Sequence, residues 1–275
     1  MSRIALCLSG KIGNIKGKSG YYKSNPEVLL KGYEHYKRHI IDKNNVDVFI
    51  HCWDTDLKQE TLKLYNPVKS VFEKQIIFNV PKHVGNDTVR NNNHYSRWYS
   101  NKMVNEYRRQ YEIENGFKYD FVMTTRFDMA FETDVIFDDL DNKYFYAGNW
   151  SAMLLNGVDI FKGGRGPLYE MKRKKARELA NSKLVISEHQ KNGLFLDLWF
   201  IANSDLSTEF FNLYDKLNEY TETIYKPIGE NKQISSHHLI PHHLKKMGII
   251  KDIKFKFHMY DDFPEVRRKY FGCKK

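Results

Sequence analysis

Three short apolar runs in the first half of the chain each stop abruptly at polar residues, and that arrangement constrains the fold more than any other feature. Residues 4–8 (IALCL) end in Ser9-Gly10-Lys11, residues 46–51 (VDVFIH) close with Cys52-Trp53-Asp54, and residues 119–125 (YDFVMTT) run into Arg126 and Asp128. Runs of this length, bounded by turn residues, read as buried strands. Helical spacing fills the gaps. Pro26 stands where a helix can begin, and Val28, Leu29, Tyr33, Tyr36 and Ile40 follow at helical spacing. Tyr95, Trp98, Tyr99, Met103, Tyr107 and Tyr111 mark a longer amphipathic helix that Gly116 would stop. Strands alternating with helices build βαβ units, so the expected fold is α/β: a Rossmann-like, mostly parallel central sheet flanked by helices. Ligands of such sheets gather at the carboxyl ends of the strands, which puts the three polar endings along one edge.

The pattern predicts a short helix over 57–65, one or two strands within 68–80 and a polar loop over 81–93. Further strands are expected at 143–147 and 253–259, an apolar run at 194–202, and helices over 206–217 and 234–247, where Pro241 should kink or divide the second. A glycine-rich loop at 162–167 precedes the basic stretch 171–183 (MKRKKARELANSK), which reads as one exposed helix. The expected organisation is a single domain with a ligand-binding half, 1–132, and a second half, 133–275, that ends in a helical part.

The net charge of +10 favours anionic partners, among them nucleic acid, acidic membrane surfaces and phosphorylated small molecules. The basic run carries neither zinc-finger spacing nor zipper heptads, so a nucleic-acid partner is not the expectation. Three cysteines, Cys7, Cys52 and Cys273, make an odd set and read as reduced thiols. The first apolar run is too short for a signal peptide, and none approaches the roughly 18 apolar residues of a membrane span.

Arg126 and Asp128 on their own can be a local ion pair that caps a strand. The apolar strand before them makes Asp128 a semi-buried carboxylate, which needs a partner; a divalent metal with oxygen ligands is one. Ser9-Gly10-Lys11 offers backbone N–H groups, a hydroxyl and an ammonium, a set suited to phosphate. Residues 13–19 (GNIKGKS) fall one residue short of a P-loop, and Gly-x-Gly-x-x-Gly is missing, which disfavours a classical dinucleotide fold.

The ordered set IALCLSG (4–10), DVFIHCWD (47–54), YSRWYSNKMVNEYRRQYE (95–112) and YDFVMTTRFDMAF (119–131) resembles GT-A-type glycosyltransferase-like proteins of bacterial surface-polysaccharide clusters and large DNA viruses. The likeness covers residues 3 to about 132 and continues more weakly through 195–206 (FLDLWFIANSDL). It implies a GT-A-like fold and transfer of a sugar from a nucleotide-diphosphate donor, a UDP-sugar in first place, to a glycan hydroxyl, with Mn²⁺ or Mg²⁺. In that family an Asp-x-Asp motif at a strand end holds the metal and the diphosphate. Arg126 replaces the first Asp here, and Asp128 alone matches the metal position. Arg126 is suited to neutralising phosphate itself. By the same resemblance Ser9, Gly10 and Lys11 would cradle the nucleotide. Trp53 would stack on the base, Asp54 hold a ribose or base edge, and Tyr99 and Lys102 border the donor, Lys102 towards a phosphate. Asp197, a carboxylate inside LFLDLWF, would be the acceptor base of an inverting enzyme, with Asp205 and Glu188 behind it. His258 would add a metal ligand, and Arg267 and Arg268 would close over the diphosphate.

His237, His238, His242 and His243 invite a zinc reading, but Pro241 interrupts their register and neither a cysteine nor a nearby carboxylate completes the set. The expected location is the cytoplasm of a bacterium or of a virus-infected cell, with peripheral contact to acidic surfaces. The competing readings are a nucleotide-dependent transferase of kinase type, a catalytically inactive nucleotide-sugar-binding protein and a basic nucleic-acid-binding protein.

Overall fold

The structure is a computed structural model and describes residues 1–15, 23–85, 87–149, 154–155, 158–159, 195–225, 234–259 and 262–272. The predicted loop at 162–167, the basic helix at 171–183, Glu188 and Cys273 lie outside the described residues.

The strands are β1 (Arg3–Gly10), β2 (Asn45–Cys52), β3 (Lys69–Phe72), β4 (Phe121–Thr125), β5 (Phe145–Asn149), β6 (Leu154–Leu155), β7 (Val158–Asp159), β8 (Trp199–Ala202) and β9 (Ile253–His258). The helices are α1 (Pro26–His39), α2 (Lys58–Tyr65), α3 (Thr88–Asn115), α4 (Ser204–Phe211), α5 (Leu213–Tyr220), α6 (Ser236–Lys246) and α7 (Val266–Tyr270). Seven strands form one mixed sheet in the order β3-β2-β1-β4-β8-β5-β9, and β6 and β7 make a separate antiparallel pair. β1 pairs in parallel with β2 and β4, as β2 does with β3 and β5 with β9, whereas β8 runs against both its neighbours. The sheet crosses the boundary expected near residue 132, so both halves build one framework.

β1 shows why the apolar runs are continuous rather than alternating. Ile4, Leu6 and Leu8 face a core shared with Leu29 and Tyr36 of α1 and with Ile40 just after it, while Ala5 and Cys7 face Val104 of α3. A strand covered on both faces must be apolar throughout. Cys7 and Cys52 are buried free thiols, and burial pushes the Cys7 thiol up to about 12.

Two helices differ from the sequence pattern. α3 begins at Thr88, inside the expected loop, because Asp87 accepts from the Arg90 N–H at 2.9 Å and caps it. Asn91 then binds the carbonyls of Val84 and Gly85, which makes a polar first turn buriable. α6 runs unbroken through Pro241. Proline has no N–H to donate four residues back, to the His237 carbonyl, and that carbonyl accepts instead from the Phe195 N–H at 3.4 Å.

α1 docks on the turn after β4. A Cβ at Gly32 would lie 2.1 Å from the Phe127 carbonyl oxygen, so only glycine permits the approach. Tyr36 then donates to the Arg126 carbonyl and pairs with Thr125 Oγ1 at 2.9 Å, fixing the strand end from below.

Candidate functional site

The parallel register aligns the carboxyl ends of β1, β2 and β4: Gly10 lies opposite Cys52, and Leu8 opposite Thr125. Because β8 is antiparallel, its first residue, Trp199, also pairs with Thr125, which delivers the preceding segment with Asp197 to the same edge. A cleft of about 680 Å³ opens there. Its floor carries Ser9, Gly10, Lys11, Trp53, Arg126 and Asp128; one wall comes from α3 and the other from Asp197, His237 and the turn at Glu265. Six cations (Lys11, Arg90, Arg97, Arg126, Arg267 and Arg268) and four carboxylates (Asp87, Asp128, Asp197 and Glu265) line it, a positive excess suited to a phosphorylated ligand.

Arg126 is the hub. Its Nε donates to Asp128 Oδ1 at 2.8 Å and its Nη2 to Asp128 Oδ2 at 2.6 Å, with Glu265 Oε1 at 3.5 Å. Burial opposes the guanidinium charge, and Asp128 and Glu265 outweigh it, raising the Arg126 pKa. Glu265, only 4% exposed, accepts from Arg267 Nη2 at 2.8 and 2.9 Å and pairs with Arg268 Nε at 2.6 Å. Burial would raise its carboxyl, but Arg126, Arg267 and Arg268 hold it down to about 2. The antiparallel bridge between Met129 and Glu265 brings this turn against the end of β4. Gly13, at φ +108°, presses on the same pair, since a Cβ there would meet Asp128 Cβ at 3.3 Å.

The donor set does not fit a divalent metal held by the protein. Both oxygens of Asp128 are taken by Arg126, and Glu265 is shared among three guanidiniums. Among the described residues no group of three His, Cys, Asp or Glu side chains is arranged to hold one. His258 closes β9 at an irregular step opposite Asn149, and its side chain lies outside the described residues.

The residues expected at the first two strand ends divide. Ser9 Oγ donates to Asn101 Oδ1 at 2.5 Å and the Gly10 N–H to Ser100 Oγ at 2.8 Å, so both shape the floor by tying β1 to α3. Lys11 supplies the charge of that turn. Trp53 is at the floor, packed on Tyr99 (ring centroids 5.6 Å, nearly parallel) and edge-on to His51, with its indole N–H buried and without a hydrogen-bond partner. Asp54, Tyr99 and Lys102 are not brought to the cleft. Asp54 Oδ2 accepts from the Ile12 N–H at 2.6 Å and from Ser24 Oγ at 2.7 Å, which holds the loop after β1. Tyr99 sits behind Trp53, among Phe78 and Tyr214. Lys102 is fixed by both oxygens of Asp215 at 2.6 Å.

Asp197 does reach the cleft, paired with Arg97 Nη1 at 2.9 Å. Burial would raise its carboxyl, yet Arg97, His237 and Arg126 bring it down to about 2. It is therefore a fixed negative charge at neutral pH and a weak base. Asp205 pairs with Lys118 at 2.6 Å near the far end of α3, a helix of 28 residues and about 42 Å, and so lies away from the cleft. The histidines separate as well: His237 lines the cleft, His238 is exposed, and His243 is buried with Nδ1 2.8 Å from Tyr220 OH.

Sequence reasoning missed Arg90, His94, Arg97 and Asn101. Their spacing along α3 is helical and marks a polar stripe beside the apolar one. Glu265 has no comparable signal, because only the chain's return to Met129 gives it meaning.

No family model matches the sequence, and no match is found among curated proteins.

Proposed function

We propose that the chain is a glycosyltransferase that moves a sugar from a nucleoside-diphosphate donor, a UDP-sugar in first place, to a glycan hydroxyl. The observation that carries this reading is the meeting of Arg126, Arg267 and Arg268 on one side of the cleft with Lys11 and Arg97 on the others, at the carboxyl edge of a mostly parallel sheet. A cleft of about 680 Å³ has the size of a small-ligand site. The resemblance to GT-A-type enzymes gives this charge a use.

In the reaction the bond between the sugar's anomeric carbon and the diphosphate oxygen breaks, its electron pair leaves with the diphosphate, and the acceptor oxygen bonds to carbon. The arginines stabilise the departing charge and, being fixed by carboxylates, need little reorganisation to do so. Asp128 and Glu265 aim the guanidiniums; no step is assigned to a metal. A second reading, nucleotide-sugar binding without turnover, draws on the commitment of both Asp128 oxygens to Arg126.

Thermal melting against UDP-, GDP-, CMP- and dTDP-sugars, with and without Mn²⁺, tests the donor site. A ligand of the native state raises the melting temperature by mass action. A shift from one nucleotide family that falls at least tenfold in apparent affinity in Arg267→Ala/Arg268→Ala supports the reading. No shift from any of them, in folded protein, refutes it. Product formation separates the transferase from the binding protein.

A further inference from the structure

The turn that carries Glu265, Arg267 and Arg268 is fixed to the segment after β4 by three backbone bonds. The Ala130 N–H donates to the Pro264 carbonyl at 2.8 Å, the Glu132 N–H to the Asp262 carbonyl at 2.8 Å, and the Val266 N–H to the Asp128 carbonyl at 2.9 Å. Two arginines from the last part of the chain are thereby held beside Arg126, and Glu265 meets all three guanidiniums.

Each guanidinium spends only part of its donor set on the carboxylates. Arg126 uses Nε and Nη2, and Arg267 uses Nη2. Arg268 approaches Glu265 through Nε. A guanidinium has more N–H donors than these contacts take. Among the described residues Arg126 Nη1, Arg267 Nε and Nη1, and the terminal nitrogens of Arg268 make no hydrogen bond, and they remain accessible. All three side chains line the cleft. The carboxylates thus orient the cations and leave donors over for an anion. Three guanidiniums against two carboxylates keep the cluster cationic, and the planar fork of arginine matches phosphate oxygens in pairs.

We infer that this cluster takes the place of a divalent cation: Arg126, Arg267 and Arg268 bind the diphosphate of the donor directly, and Asp128 serves to orient Arg126. The inference deepens the transferase reading and rests on it for the identity of the ligand. A metal on Asp128 would sit about 2.1 Å from a carboxylate oxygen. The same two oxygens lie 2.8 and 2.6 Å from Arg126 Nε and Nη2. Ion and guanidinium would then stand within about 5 Å of each other, two cations competing for one carboxylate on a residue only 4% exposed. Displacing Arg126 to admit the ion would leave its guanidinium without that partner. The charge of the cleft agrees. Its six cations exceed its four carboxylates by two, and the diphosphate of a nucleotide-sugar carries one negative charge on each phosphate, so the ligand alone balances the lining.

Isothermal titration calorimetry tests this with inorganic pyrophosphate, UDP, GDP and dTDP, each in EDTA and again in excess Mg²⁺ or Mn²⁺. Wild-type protein should bind at least one nucleoside diphosphate in EDTA. Added divalent cation should leave the affinity equal or lower it, since a metal-bound diphosphate offers less charge to the arginines. Arg268→Gln, at the partly exposed member of the set, should weaken binding in EDTA roughly tenfold or more. Asp128→Asn keeps an acceptor for Arg126 and should lower affinity by the same factor with and without metal. Binding that needs the metal, or that strengthens at least tenfold when it is added, overturns the inference and leaves the transferase standing. A loss in Asp128→Asn confined to the metal-containing titration does the same, as does Arg268→Gln binding within about threefold of wild type. Pyrophosphate bound in EDTA, with no nucleotide bound in either condition, overturns the transferase reading and leaves the arginine cluster as a metal-independent site. Folded protein that binds none of these ligands in either condition overturns both.

Discussion

Arg126 meets Asp128 edge to edge, with one carboxylate oxygen on Nε at 2.8 Å and the other on Nη2 at 2.6 Å. The two residues are two positions apart on the same chain, so the pair is local, yet Asp128 is only 6% exposed at its side chain. A carboxylate so placed depends on its guanidinium. That dependence makes the pair both a structural strut and a pre-aimed cation at the floor of the cleft.

Removing one partner should therefore hurt more than removing both. Arg126→Ala is expected to cost about 3 kcal/mol, because it strands a buried charge. Arg126→Ala/Asp128→Asn should recover a large part of that loss. Urea unfolding of the two single variants and the double variant measures the coupling; strictly additive losses would show that the pair carries no interaction energy.

Acid should unfold the protein in two windows. His94 and His243 are pushed down to about 4 by burial, from an ordinary value of 6.5. The unfolded chain then binds protons that the folded chain refuses, so stability is full above pH 6.5 and falls towards pH 4. Asp197 and Glu265 are held down to about 2, below their ordinary 3.8 and 4.5, so their contribution persists above those values and is lost as pH falls towards 2. For Asp197 that contribution is about 2 kcal/mol. Denaturant midpoints from pH 8 to 2 should show both limbs, and Asp197→Asn should flatten the lower one.

Pro241→Ala returns an N–H to the middle of α6 and with it a competitor for the His237 carbonyl. The helix should gain stability, while the Phe195 amide loses its acceptor and exchanges its hydrogen at least tenfold faster. Hydrogen exchange at that amide is the direct readout; unchanged protection would mean that the tie does not depend on the proline.

Gly32→Ala should destabilise by on the order of 3 kcal/mol, the range for overpacking a closed contact. The added methyl would lie 2.1 Å from the Phe127 carbonyl oxygen, and backbone cannot step aside as a side chain can. A melting temperature within a degree of wild type would show that α1 lifts away freely.

The sheet was legible because burial on both faces writes itself as a continuous apolar run, as at Ile4, Leu6 and Leu8. The strand ends were legible for the same reason: charge appears where cover stops, at Arg126 and Asp128. Direction was not legible. Nothing in WFIA says that β8 runs against its neighbours, yet that reversal is what carries Asp197 to the cleft. Asp54 and Lys102 show the opposite failure. Their residue types suit a ligand, but Ile12, Ser24 and Asp215 claim them, and those contacts join segments far apart in sequence. Pro241 misled in a third way, since a missing donor predicts a break only when no outside group takes up the orphaned carbonyl.

The pairing of Thr125 with Trp199 and the bridge from Met129 to Glu265 have a consequence for biogenesis. A chain made from its amino terminus completes β1, β2 and β4 within its first 125 residues, before the residues of the far wall have been made, and each of these pairings closes a long loop. The residues of the cleft's floor are thus made before those of its roof. Glu265, Arg267 and Arg268 come last, and Arg126 and Asp128 complete their set of partners only when they do. A phosphorylated ligand that bridges floor and roof would then act on the finishing step of folding, holding the returning segment in place as it arrives.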